Sequence, residues 1–183
     1  MRELSLNILD IAQNSISAGA SLIEIKLVED RNAGDLLIGI YDNGKGMTEE
    51  QTASITDPFF TTRTTRKVGM GIPLFKMAAE QTGGSFEIHS KPGEGTGVTT
   101  HFKTGSIDFT PLGDIRSTVV TLITMNTDRD FRFTYRIDDN EFVLDTREIR
   151  EILGDVPLDA PDVVVWMNEY FKEQTELLSH RKE

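Results

Sequence analysis

Asp42-Asn43-Gly44-Lys45-Gly46-Met47 constrains this chain more than any other stretch, because it closes a β-strand pattern and immediately denies the chain a second one. Leu36–Tyr41 reads as a buried strand, and two glycines at alternate positions then force a tight loop. Before it, Leu22–Val28 alternates with Ile23, Ile25 and Leu27 on one face and Glu24 and Lys26 on the other, with Asp30–Asp35 as the intervening turn. Such a pair is a sheet that buries one face.

Helical periods flank the pair. Leu4, Ile8, Ile11 and Ser15 recur at 3–4 spacing over Leu4–Ala18, with Gly19 as the stop, and Asn7, Asp10, Asn14 and Ser17 form a second, polar stripe. Thr48–Ile55 is a short helix with Thr48 as its N-cap. A third helix runs to Gln81, with Pro73 expected at its first position and Gly83-Gly84 ending it. Ser85–Ser90 and Gly97–Phe102 make a hairpin. Local strand neighbours with helices gathered on one side predict an α+β two-layer sandwich, a mixed and largely antiparallel sheet under one helical layer.

The chain divides near residue 104. Residues 1–104 hold 10 basic and 13 acidic side chains, whereas 105–183 hold 9 basic and 17 acidic ones. The second part is expected to be a small acidic α+β extension with its own partner. It comprises Ile115–Met125 (helix or strand), a hairpin at Asp138-Asp139-Asn140, a helix Thr146–Leu153 and an amphipathic helix from Pro161 to about Leu178. Val163, Trp166, Met167, Tyr170 and Phe171 form a stripe that faces either a core or a partner.

Bulk properties exclude several functions. There is no cysteine, and the three histidines are far apart, so thiolate and zinc chemistry are unavailable. A net charge of −11 argues against nucleic acid as a partner. No apolar run reaches the ~20 residues of a membrane span and no signal-peptide pattern opens the chain, so a cytoplasmic location is expected.

Three clusters carry chemistry. Asp10 and Asn14, one helical turn apart, present a carboxylate and an amide oxygen together. The amide suits Mg²⁺ held largely by phosphates, and the carboxylate suits activation of a water; the alternative is a solvated polar face. Asp42 is either an acceptor for an exocyclic amine or the end of a strand in an Asx turn. Gly69-Met70-Gly71 precedes a helix N-terminus, an anion site, and Thr61-Thr62-Arg63-Thr64-Thr65-Arg66-Lys67 before it is either a lid over phosphates or a disordered basic loop. No GxxxxGK[ST] loop, dinucleotide fingerprint or Gly-x-Ser-x-Gly elbow is present.

Taken in order, these segments resemble the boxes of the Bergerat-fold ATPases, the superfamily of gyrase B, MutL-type proteins, sensor histidine kinases and anti-sigma-factor serine kinases. Ile8–Ala20 resembles the N box, Tyr41–Met47 the first glycine box, and Asp57-Pro58-Phe59-Phe60-Thr61-Thr62 the phenylalanine box. Gly69-Met70-Gly71-Ile72 resembles the second glycine box and Gly95-Thr96 the closing pair. The resemblance spans residues 4–103. It implies ATP and Mg²⁺ as cofactors, with Asn14 on the metal, Asp42 on the adenine amine, and Gly44, Gly46 and Met47 beside the ring. Gly69 and Gly71 would contact the phosphates, Met70 and Ile72 would belong to the nucleotide site with them, Thr62, Arg63 and Lys67 would lie in the lid, and Thr96 would support adenine through a water. Asp10 stands where hydrolytic members keep a longer Glu.

With only nine residues before Asp10, a phosphoacceptor hairpin is not expected in cis, and the stand-alone kinases are the nearest comparison. A protein kinase acting in trans on Ser or His is therefore expected. The alternatives are an ATP-gated interaction module and a slow ATPase with Asp10 as base. Asp145–Ile149 and Leu153–Leu158 resemble an extension found on small bacterial ATP-binding proteins of iron-hydrogenase systems, which implies a partner of that kind. Pairing of two chains through the tail is a further expectation.

Overall fold

The computed structural model describes residues 3–57, 59 and 70–180. Its frame is a six-stranded mixed sheet with strands β1 (Leu22–Asp30), β2 (Asp35–Asp42), β3 (Ser85–Lys91), β4 (Gly95–Lys103), β5 (Asp130–Ile137) and β6 (Asn140–Asp145). The spatial order is β3-β4-β2-β1-β5-β6, antiparallel throughout except for the parallel β1/β5 pair. Helices α1 (Leu4–Ser17), α2 (Glu49–Thr56), α3 (Gly71–Gln81), α4 (Ile115–Met125), α5 (Thr146–Leu153) and α6 (Pro161–His180) complete the α+β architecture.

Alternation decides which face is covered. Ile23, Ile25 and Leu27 of β1 share their face with Leu36, Ile38 and Ile40 of β2 and with Phe131, Phe133 and Tyr135 of β5, and all are buried. The opposite face carries Lys26, Glu87, His101 and Arg136, all exposed. Aromatic rings then join helix to sheet. Phe75 of α3 meets Phe102 with ring centroids 5.6 Å apart, and Phe171 of α6 stacks on Phe133 at 5.1 Å.

Residues 105–180 continue this same sheet and core. Ile115–Met125, ambiguous in sequence because of its β-branched content, is a helix. Asp114 caps it by accepting from Ser117 N at 3.0 Å, and Ile115, Val119, Leu122 and Ile123 are buried at helical spacing. The segment before it closes a gap elsewhere, since the free amides of Leu4 and Ser5 at the start of α1 donate to the carbonyls of Pro111 and Leu112 at 2.9 and 2.8 Å. On α6, Val163, Met167 and Phe171 face the core. Trp166 stays half-exposed, stacked on Tyr170 with ring centroids 5.1 Å apart.

Two local expectations shift. Helix α3 begins at Gly71, so Pro73 is its third residue instead of its first. It still lies in the first turn, where an N–H has no intrahelical partner. Thr48 caps α2 reciprocally with Gln51, a capping box that the sequence reading described only as an N-cap.

Candidate functional site

The end of α1, the end of β2 and the start of α3 converge on one cavity of about 280 Å³. Ile11, Ile40, Ile72 and Val98 give it apolar walls, and Asn14, Asp42 and Thr96 bring polar groups to it. Gly46 and Met47 also line it. Six of the residues singled out in sequence thus meet in one place: Asn14, Asp42, Gly46, Met47, Ile72 and Thr96.

Asp42 is half-buried, and both of its oxygens are engaged. Oδ2 accepts from Ser15 Oγ at 2.7 Å and Oδ1 from Gly44 N at 2.8 Å. Each carboxylate oxygen keeps a free lone pair. The carboxylate is therefore fixed in orientation and still able to accept from an amine within the cavity. Asn43 beside it holds the entry to β1, accepting from Ser21 N at 2.9 Å and Leu22 N at 3.0 Å.

The glycines answer to the protein before they answer to a ring. A Cβ on Gly46, which has φ +68°, would strike the Lys91 carbonyl of the β3–β4 turn, and one on Gly44 would meet Ala18 at 2.9 Å. Gly46 still lines the cavity. The loop and the hairpin tip are packed backbone to backbone, with Gly93 N donating to Lys45 O at 2.6 Å.

Asp10 is exposed and is not part of the cavity wall. It sits against α3, where a Cβ on Gly71 would lie 3.3 Å from Asp10 Cβ. Although the residue is exposed, the protein around its carboxyl displaces part of the water there and pushes it up from the ordinary value. Met70, half-exposed, stands at the N-cap of α3, and Gly71 is buried at its first position. Gly69 and the lid positions Thr62, Arg63 and Lys67 lie outside the described residues.

Among the described residues no group of three His, Asp or Glu is placed to hold a metal ion. The donor set is an amide oxygen with a carboxylate one turn away. That fits Mg²⁺ arriving with phosphates that supply most of its oxygens, and does not fit an all-protein cage.

Sequence reasoning passed over Ser15, which it counted only as part of the buried stripe of α1, and the apolar walls. Ile11 and Ile40 carried the correct burial signal. Nothing in the periodicity says which end of a buried stripe borders a cavity. Ile55 of α2 also lines it, from a helix with no fully buried residue.

A sheet covered by helices on one face, with a glycine loop and a helix start around a cavity bordered by β2 and β4, defines an α+β protein with a small-molecule-sized site. The chain belongs to the histidine kinase-, DNA gyrase B- and HSP90-like ATPase family, which matches residues 1–106. It is 32% identical over 89 residues to the sensor histidine kinase ZraS of Klebsiella oxytoca, covering 48% of this chain and 19% of that protein. It is 33% identical over 101 residues to the sensor protein SrrB of Staphylococcus aureus (strain NCTC 8325), covering 52% and 17%. The matches therefore span less than a fifth of these relatives' length. In fold, a crystal structure of the N-terminal domain of a DNA repair protein is similar, with a TM-score of 0.57 at 13% identity over 85% of this chain and 58% of that one. That likeness reaches past residue 106, into the strands and helices of the acidic segment. Domains of this family bind ATP. Among the described residues no helix is long and apolar enough to cross a membrane.

Proposed function

We propose that the chain binds Mg·ATP in this cavity and transfers the γ-phosphoryl group to a Ser or His of another protein. The observation that carries the reading is Asp42, held by Ser15 and Gly44 as an oriented acceptor in a cavity with apolar walls that Asn14 also lines. Adenine enters between Ile11, Ile40 and Val98 and gives its exocyclic amine to Asp42. Asn14 would hold the metal, whose charge neutralises the phosphates.

Asp10 supports transfer over hydrolysis. It lies off the cavity wall, its carboxylate is short, and its neighbour is Gly71 at the start of α3. An exposed group of this kind is reachable by the hydroxyl or imidazole of an acceptor protein. In the step itself the bond from γ-phosphorus to the bridging oxygen of ADP breaks. The bond to the acceptor oxygen or nitrogen forms, and the acceptor proton passes to Asp10 or to solvent. Rate then comes from positioning and charge more than from a strong base. The sensor kinases matched over the same segment support this reading, and the resemblance of the tail directs the search for the acceptor to proteins of iron-hydrogenase systems.

The test follows γ-labelled ATP with Mg²⁺, the purified chain and a native extract, with Asp10→Asn in parallel. The reading expects protein-bound label, acid-stable on Ser or acid-labile on His, with little free phosphate from the chain alone. Rapid phosphate release that disappears in Asp10→Asn, without labelled protein, would make the chain an ATPase instead.

A further inference from the structure

A second cavity, of about 430 Å³, lies between the start of α4 and the second half of α6. The buried residues Ile115, Tyr135 and Phe171 line it with largely apolar surface, and Arg116, Lys172, Asp114 and Glu176 bring charge to it.

Arg116 is out of keeping with its surroundings. It is half-buried, and its Nε is shut from solvent with no acceptor. Among the described residues its guanidinium forms no hydrogen bond or ion pair, and its terminal nitrogens are neither bonded nor shut away. A cation partly withdrawn from water loses hydration that only a counter-ion returns. Nearby arginines have theirs: Arg147 pairs with Asp145 at 2.8 Å and Arg150 with Asp130 at 3.0 Å. Asp114, the charged neighbour of Arg116, is instead turned to its own helix, accepting from Ser117 N at 3.0 Å and Ser117 Oγ at 2.7 Å.

The hydroxyls of the cavity have their protons committed elsewhere. Thr175 Oγ1 donates to the carbonyls of Phe171 and Lys172, both at 3.0 Å. Ser179 Oγ donates to Thr175 O at 3.2 Å, and the Tyr135 hydroxyl to Glu29 at 3.4 Å. The side-chain donors left over are Arg116 on α4, Lys172 on α6 and the His180 ring at the end of α6.

We propose that this cavity is a second ligand site, which takes a small organic monocarboxylate, its carboxylate on Arg116 and Lys172 and its apolar body on Ile115, Tyr135 and Phe171. The planar guanidinium fork matches the two oxygens of a carboxylate. Asp114 and Glu176 repel a second negative charge, which disfavours phosphate and dicarboxylates. The cavity shares no lining residue with the one assigned to ATP, so the inference stands apart from that reading.

The test titrates hexanoate, benzoate and phenylacetate into the isotope-labelled full chain and follows backbone amide shifts, with a thermal melt of each protein. Acetate, inorganic phosphate and the neutral amide of the tightest acid are run alongside, and Arg116→Met and Lys172→Ala are the variants. At least one of the three acids is expected to bind saturably, shifting amides near Ile115 and Phe171. Acetate, phosphate and the neutral amide bind at least tenfold more weakly. Arg116→Met weakens the acid by at least tenfold and melts no lower than the wild type, because it removes a cation that the chain leaves unpaired. Lys172→Ala, on an exposed position, weakens it as well. Saturable binding by none of the three acids would overturn the inference, as would equal affinity for the neutral amide or for phosphate. Unchanged affinity in folded Arg116→Met or Lys172→Ala would overturn it too, and so would shifts gathered at Asn14 and Asp42. A clear fall in the melting point of Arg116→Met would show that the protein itself satisfies the guanidinium, and would also overturn it.

Discussion

Tyr135 shows how a single side chain records its surroundings. Burial pushes its phenol up to about 12, and the Glu29 carboxylate, 3.4 Å away, adds to the shift by charge and hydrogen bond. An unfolded tyrosine ionises near pH 10. Because the folded value is the higher one, the stabilisation is complete below about pH 10 and is lost as pH rises toward 12. Its full size is about 2–3 kcal/mol. Alkaline unfolding followed by circular dichroism should therefore be steep between these values and shallower in Tyr135→Phe, and absorbance titration should lose one late tyrosinate step. Position in a strand pattern shows that such a residue is buried, and Tyr135 does alternate with Phe131 and Phe133. That a carboxylate from β1 comes to meet it depends on the parallel β1/β5 register, which no local pattern encodes.

Junctions between elements hold the site in shape, and they are where substitutions should act. Gly46 joins a left-handed backbone to a close approach by the Lys91 carbonyl, so Gly46→Ala should cost about 1–3 kcal/mol and weaken ATP binding together with stability. Matched loss in thermal unfolding and nucleotide titration would bear this out. Asp145 makes the other junction, from β6 into α5. It caps the helix by accepting from Arg147 N at 2.9 Å, pairs with the Arg147 guanidinium at 2.8 Å, and lies 3.4 Å from Arg132. The Arg147 hydrogen bond, more than any other contact, holds its carboxyl below the usual carboxylate range. Its stabilisation is thus complete above the unfolded value near 4 and is lost as pH falls through the folded one. Acid unfolding should show this limb in the wild type and not in Asp145→Asn.

Most element bounds were readable. Thr146–Leu153 and the end of α3 at Gln81 fall where the sequence puts them, since caps and stop glycines are local signals. Ile115–Met125 was not decidable, because Ile, Val and Thr fit a strand as well as a buried helix face. The 2.8 Å hydrogen bond from Met47 N to Ser90 Oγ was invisible for a different reason: it joins the glycine loop to β3, 43 residues further along the chain.

At the level of the molecule, the acidic segment belongs to the fold that carries the site. Strand β5 covers what would otherwise be the open edge of β1, and Arg129 Nη1 donates to Ala20 O at 2.5 Å behind the turn that leaves α1. Pro111 and Leu112 satisfy the first amides of α1, the helix bearing Asp10 and Asn14. Removal of residues 105–183 should therefore leave a chain that does not fold cooperatively. Its thermal melt should lack a sigmoidal transition, whereas an equally sharp transition would show two independent units. The order of the motifs was legible because each is short and local. The single sheet was not, because a parallel pairing between β1 and β5 is separated by about a hundred residues.

Calorimetric titration of Mg·ATP into the wild type and into Asp42→Ala, each first shown folded by circular dichroism, bears most directly on the site. Saturable one-to-one binding to the wild type is expected, with affinity reduced at least tenfold in Asp42→Ala through loss of a charged hydrogen bond. Equal affinity in the two folded proteins would place ATP elsewhere and contradict the assignment of the cavity.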